Sequence, residues 1–312
     1  MADALNGRDW WYARLYPGGL NRLDLAATSV LPALADEALA NGADRWFFLQ
    51  YTDWKGPHLR VRVQGPRAPL DALHRQRGRI SSQLRGIQRT KVPERGSLVP
   101  LELRPFSGTH TGFEVGVYEP ENSKYGGQDG VETAEAVFQE SSVLALWGLG
   151  FPRHPDRAAL ALLLLEAAVA ALAPWGTGAE VFWQRHLAWW TQDAGSRAGV
   201  LRDRLRDLAA EDPHGVGESA ARLAADPVVR ARTRGWTETL TLCLTRAHEQ
   251  QNPYSAGHLV FHHAHMMCNR LGILPREEAL LGAMAARTEA TTRKPSPGAV
   301  QQGGNAEPCP AQ

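Results

Sequence analysis

Apolar and polar positions alternate with two different periods, and these divide the chain. In the first part, Trp10 to Tyr16 is aromatic-rich and stops at Pro17-Gly18-Gly19, which predicts a strand. Leu25 to Ala40 carries apolar residues at helical spacing and ends at Asn41-Gly42, and Arg45 to Tyr51 reads as a second strand. Asp53-Trp54-Lys55-Gly56-Pro57 is turn chemistry. After it, His58 to Gln64 alternates strictly, with Leu59, Val61 and Val63 on one face and His58, Arg60, Arg62 and Gln64 on the other. Leu70 to Leu84 reads as a basic amphipathic helix, and Gly112 to Glu119 as a strand. Gly86 to His110 is ambiguous and leaves room for an extra hairpin. The order strand, helix, strand, strand, helix, strand predicts a ferredoxin-like βαββαβ sheet, antiparallel-rich, over residues 1–130.

From residue 131 the period becomes helical. Val131 to Gly148, Arg157 to Ala173, Glu180 to Thr191, Ala198 to Ala210, Gly217 to Leu223, Val228 to Gln250, Ala256 to Leu271 and Arg276 to Thr291 are the expected helices. Residues 292–312 hold almost no large apolar side chain and are expected to be a disordered tail. The expectation is therefore an α+β protein with one domain over 1–291, sheet-rich to 130 and helical thereafter.

Composition narrows the function classes. A hydrophobic fraction of 43% and a charged fraction of 21% are those of a globular protein. The net charge of +1 gives no overall pull toward nucleic acid or membrane, and neither is expected as a partner. The most apolar run, Ala158 to Ala173, is interrupted by Glu166 and falls short of the about 20 residues a bilayer needs. Cys243, Cys268 and Cys309 have no paired or metal-like spacing, which suits a reduced, cytoplasmic protein.

Three separated segments hold the candidate chemistry. The row His58, Arg60, Arg62 is either a solvated sheet face or a cationic strip that binds a carboxylate or an enolate-like oxygen. Glu121 and Lys124 precede Gly126-Gly127 at a strand end, either as a surface ion pair or at a site mouth. His258, His262 and His265 share one helix face at i, i+4 and i+7. No carboxylate or cysteine stands at matching spacing, so proton transfer is favoured over a metal and no cofactor is expected. Trp183, Trp189 and Trp190 with His186 form an aromatic cluster, either core or a wall for a heterocyclic peptide. No phosphate-binding glycine loop and no Gly-x-Ser-x-Gly elbow occurs.

Together, the Gly-Pro-His-Leu-Arg-Val-Arg strand from Gly56, the Tyr-Glu-Pro-Glu turn leading to Lys124-Tyr125-Gly126-Gly127, and the late His-Met-x-x-Asn-Arg helix from His265 resemble the C-terminal elimination domain of lantibiotic dehydratases. The resemblance runs from about Trp10 to about Ala290. It implies one of two activities on a precursor peptide. One removes glutamate from glutamylated Ser or Thr; the other joins two dehydroalanines in a formal [4+2] aza-cycloaddition that makes a thiopeptide pyridine. It also implies roles in the reaction for Arg60, Arg62, Glu121, Lys124 and His265. His58, Tyr125, His258, His262, Asn269 and Arg270 are then candidate substrate-binding residues.

Two departures point toward the pyridine synthase. Position 124 is lysine where the elimination pattern has arginine, and the segment Val137 to Ser142 lacks the aspartate that often precedes the serine there. The expected activity is therefore cycloaddition, with glutamate elimination as the alternative and a non-catalytic precursor-binding scaffold as a third. The expected partners are the precursor peptide and other enzymes of its pathway, with the leader docking on an exposed edge of the N-terminal sheet.

Overall fold

The computed structural model describes residues 8–94, 96–98 and 108–293. Four strands, β1 (Arg8–Pro17), β2 (Arg45–Asp53), β3 (Gly56–Pro66) and β4 (Thr111–Gly116), form one sheet in the order β2-β3-β1-β4. Each neighbouring pair is antiparallel. Helix α1 (Leu23–Ala40) joins β1 to β2, while α2 (Arg67–Arg75) and α3 (Arg77–Arg89) follow β3. This is the ferredoxin-like arrangement that the alternating periods predict, and the fold is α+β.

The strict alternation in β3 divides the sheet into two chemically different faces. Leu59, Val61 and Val63 are fully buried, and their register partners Ala13, Leu15, Trp46 and Phe48 join them on the face that α1–α3 cover. The other face carries Tyr12, Arg62 and Phe47 in one cross-strand row. Against it lies the helical part: α4 (Asn122–Tyr125), α5 (Gln128–Gly148), α6 (His154–Ala170), α7 (Ala179–Trp189), α8 (Ala198–Glu211), α9 (Val216–Ala225), α10 (Pro227–Glu249), α11 (Ala256–Arg270) and α12 (Pro275–Arg293). Both parts share one contiguous apolar core. By length and composition His154–Trp175 could cross a membrane, but 67% of its most apolar stretch is buried inside the protein. It serves as a central core helix.

Side chains join the two parts along the edge of β2. The backbone N–H groups of Trp46, Phe48 and Gln50 point away from β3. They donate to Gln139 Oε1 (3.0 Å), Ser142 Oγ (3.2 Å) and Asn269 Oδ1 (2.9 Å). Asn269 Nδ2 returns a bond to the Gln50 carbonyl at 2.7 Å. An open strand edge is a template for unwanted pairing, and here α5 and α11 cover it. Among the described strands, this leaves β4 as the outer strand that an added peptide could pair with.

Two sequence expectations change in detail. The helix expected over Leu70 to Leu84 is two helices that break at Gln76, whose side chain is held by Glu37 of α1; Gly78 just beyond weakens continuation. β4 ends at Gly116 rather than Glu119, because Tyr118 leaves the sheet to pack its ring beside Arg62. No strand occurs at 90–94, 96–98 or 108–110, while residue 95 and residues 99–107, where a hairpin would also fall, lie outside the described residues. The expected tail falls outside them from residue 294 on, as does Cys309.

Candidate functional site

Arg60 and Arg62 alternate with the apolar face of β3 and so point at the helical part. Arg62 is 8% exposed. Its guanidinium carbon lies 5.0 Å from the rings of Tyr12 and Tyr118 and 5.4 Å from that of Phe47, in an aromatic box. Its Nε and Nη1 are buried with no hydrogen-bond partner among the described residues. Burial pulls its pKa below the usual arginine range, opposed by Tyr12, Tyr118 and Glu121 and reinforced by Arg60. Arg60 is less enclosed; its guanidinium stacks 3.3 Å from the Tyr51 ring and donates to His58 Nε2 at 3.4 Å.

His58 is fully buried. Its Nε2 accepts from Arg60, so its Nδ1–H donates to the Gly56 carbonyl at 3.1 Å. That neutral tautomer agrees with burial pulling its pKa to about 4.

The turn after β4 brings an acid and a base to this face. Glu121, at the N-cap position of α4, and Lys124 pair at 2.7 Å, one helical turn apart. Gly126 and Gly127 then take φ values of +86° and +100°, which side-chain-bearing residues rarely adopt, and reverse the chain into α5. Asn252 donates to the Tyr125 carbonyl at 2.8 Å, Tyr254 donates to the Ser123 carbonyl, and His258 Nε2 donates to the Lys124 carbonyl at 3.0 Å. The beginning of α11, capped by Ser255 on the His258 N–H, thus holds α4 in place. Tyr125 is buried with its hydroxyl unpartnered among the described residues, its ring 5.3 Å from Phe138 and 6.1 Å from His262.

Helix α11 supplies the imidazoles. The His258 and His262 rings lie 4.4 Å apart. Burial, reinforced by His258, Lys124 and His265, pulls His262 to about 3. His265 is one turn further on. Its Nδ1 is 2.8 Å from Glu278 Oε2 of α12, and its Nε2 has no partner among the described residues. Near the helix end, Arg270 is fully buried. Its Nε donates to Ser142 Oγ at 3.1 Å, while Nη1 and Nη2 are unpartnered among the described residues. Burial, opposed by Tyr125 and reinforced by Arg62, lowers its pKa to about 9, so it stays charged near neutral pH. Asn269 lies elsewhere in role: both ends of its amide are bonded to Gln50 backbone. Between α7 and α11, a cleft of about 300 Å³ lined by Phe182, Arg185, Trp189 and Phe261 reaches His258 and His262.

The structure therefore brings Arg60, Arg62, Glu121, Lys124, Tyr125, His258, His262, His265 and Arg270 to one side of the sheet, and turns His58 and Asn269 toward backbone. It adds residues the sequence did not single out. Tyr12, Phe47 and Tyr118 box Arg62, Glu135 accepts from the Tyr118 hydroxyl at 2.9 Å, and Glu278 partners His265. The aromatics look like ordinary core, and Glu277-Glu278 looks like an acidic first helical turn, so no local pattern distinguishes them.

Fold and site define an α+β protein with a ferredoxin-like sheet, backed by helices, that encloses unpartnered guanidinium groups and carries a carboxylate-linked histidine on α11. The chain belongs to the lantibiotic biosynthesis dehydratase C-terminal family, whose model matches residues 10–289. It is 28% identical over 136 residues to the nisin biosynthesis protein NisB of Lactococcus lactis subsp. lactis; the match spans 44% of this chain and 11% of NisB. The structure of the tRNA-dependent lantibiotic dehydratase MibB from Microbispora sp. 107891 is similar with a TM-score of 0.61 and 25% identity, over 94% of this chain and 29% of MibB. The chain thus spans only a minor part of both relatives. The fold is also that of TsrL (TM-score 0.64, 16% identity, 91% of this chain and 95% of TsrL). The pyridine synthase TbtD from thiomuracin biosynthesis shares it too (TM-score 0.61, 21% identity, 91% of this chain and 98% of TbtD).

Proposed function

We propose that this protein is an enzyme of peptide-antibiotic biosynthesis that eliminates glutamate from glutamylated Ser or Thr of a precursor peptide, leaving dehydroalanine or dehydrobutyrine. The observation that carries this reading is the Arg62 guanidinium, buried in an aromatic box with Nε and Nη1 unpartnered. A buried cation without an anion is costly, and a carboxylate-bearing substrate group would supply the missing partner. In the reaction, His265 Nε2 takes the Cα proton of the glutamylated residue, the Cα=Cβ bond forms, and the Cβ–O bond breaks. The ester oxygen leaves as the glutamate carboxylate. Arg60 and Arg62 hold the enolate oxygen and the leaving carboxylate, with Lys124 adding a positive charge that Glu121 keeps in place.

The two features of the sequence that favour cycloaddition carry less weight beside the geometry. Lysine at 124 keeps the charge and pairs with Glu121. In the Val137 to Ser142 segment, Gln139 and Ser142 bond to the β2 edge, and Ser142 Oγ also accepts from Arg270 Nε, so the segment has a structural part of its own. Cycloaddition is retained as a second reading because of the aromatic cleft of about 300 Å³ beside His258 and His262. Such a cleft would suit holding two unsaturated residues together, and this positioning is worth roughly 7–11 kcal/mol.

Mass spectrometry on two leader-bearing peptides separates the readings. Loss of glutamic acid from a glutamyl-serine peptide, with a dehydroalanine-containing peptide untouched, is the expected result. Conversion of the second peptide to a macrocycle with release of the leader would replace elimination by cycloaddition. Leader binding without turnover of either would leave the scaffold reading.

A further inference from the structure

The side chain of Glu278 is the most enclosed carboxylate of the helical part, and the reaction scheme above gives it no role. It is fully buried at the start of α12. Oε2 lies 2.8 Å from His265 Nδ1, and Oε1 lies 3.2 Å from both His186 Nε2 and Trp190 Nε1. The carboxylate oxygens thus meet His265 of α11 at one and, at the other, His186 of α7 and Trp190 at its C-terminal cap. The Trp190 ring also packs 4.6 Å from the His265 ring and stacks on Phe261 at 5.7 Å, closing one side of the imidazole. Gly282, one turn along α12, makes room for this arrangement, since a Cβ there would overlap Nδ1 of His186. A carboxylate with no access to water, held by three ring donors from two helices, has few ways to move.

We propose that Glu278 is a positioning residue: it holds His265 as the Nδ1–H tautomer and leaves Nε2 as the nitrogen that transfers the proton, while His186 and Trp190 fix the carboxylate. The inference rests on the reading of His265 as the proton-transfer group. An imidazole that rotates or exchanges tautomers offers its lone pair to the substrate only part of the time, and a carboxylate on the far nitrogen removes that loss. It also stabilises the imidazolium formed when Nε2 takes a proton. Burial works against the Glu278 charge, yet the His265 charge and the hydrogen bonds from His186 and His265 bring the carboxyl down to about 2, so it is ionised wherever the enzyme works. The other titratable groups whose charge reaches this pair are His262 and Cys268 on α11 and His186 on α7.

The test is Glu278→Gln, which keeps the shape and removes the charge. Long-range proton–nitrogen spectra of histidine-labelled full-length protein report the His265 tautomer without any substrate. The expected result is a pure Nδ1–H form in the wild type. In the variant, a mixture of the two tautomers is expected. With the glutamyl-serine peptide, kcat is expected to fall about 10- to 100-fold with KM little changed. An unchanged His265 tautomer in the folded variant would overturn the inference, as would an unchanged kcat in an active enzyme. If the wild type turns over no glutamyl peptide, the elimination reading fails, and the spectra alone decide whether Glu278 sets the tautomer.

Discussion

Arg62 concentrates the question of what an arginine does that a lysine cannot. Its guanidinium is stacked among three aromatic rings, and two of its nitrogens face no partner among the described residues. A planar fork can stack on rings and still present parallel N–H groups to a carboxylate, whereas an ammonium is a point charge that needs more solvation. Arg62→Lys is therefore expected to stay folded, with an unchanged circular dichroism spectrum, and to lose about 10²-fold in kcat on a glutamylated peptide. Activity within a fewfold of wild type would show that charge alone suffices and would remove Arg62 as the anion-holding group. Lys124 is the converse case. Its ammonium already has Glu121 at 2.7 Å, so its contribution is a positive charge at fixed distance, which is why a lysine can stand there.

At the scale of elements, the seam between β2 and the helices α5 and α11 decides whether the site assembles. Asn269→Ala leaves the Gln50 N–H and carbonyl without the partners they have at 2.9 and 2.7 Å. Unsatisfied buried backbone groups cost about 1–3 kcal/mol each, so urea unfolding is expected to show a loss of about 2–6 kcal/mol. Unchanged stability together with lost turnover would instead make Asn269 a substrate contact. This seam also marks the limit of what the sequence reveals. The period-two alternation of β3 and the apolar spacing of the helices were legible, because burial of one face writes itself into local order. The chemistry of His58, Arg60 and Arg62 was legible as a row, but whether it met water or protein was not. That depends on α5 and α11, tens to hundreds of residues away. Asn269 and Arg270 adjoin in sequence yet do different work: one clamps a strand edge, and the other buries a guanidinium whose Nη1 and Nη2 have no partner among the described residues. Glu278 was the least visible, since an acidic residue in a first helical turn ordinarily needs no explanation beyond the helix dipole.

For the whole molecule, the sheet and the helical part share a liability to acid. His58 on β3 is pulled to about 4, and His262 and His263 on α11 to about 3, in each case first by burial. In the unfolded chain all three titrate near the ordinary histidine value of about 6.5. Between about pH 6.5 and pH 4 the unfolded state therefore binds protons that the folded state refuses, and stability rises with pH across that window. Each such histidine adds about 1.4 kcal/mol per pH unit, so the three together reach up to about 4 kcal/mol per unit near pH 5. Below about pH 4.5 the depressed Glu278 carboxyl adds to the loss, because its charge stabilises the fold only while the unfolded carboxyl is also ionised. Domains are stable by only about 5–15 kcal/mol, so this slope is enough to unfold the protein between about pH 5 and pH 4. Urea midpoints measured at half-unit steps from pH 8 to pH 4.5 are expected to be nearly level down to about pH 6.5 as far as these groups are concerned, and then to fall steeply. A level profile down to pH 5 would mean that these imidazoles take up protons inside the fold. In that case the positive charge gathered there with Arg60 and Arg270 would have to be answered by more negative charge than Asp53 beside His58 and Glu121 beside Lys124 supply.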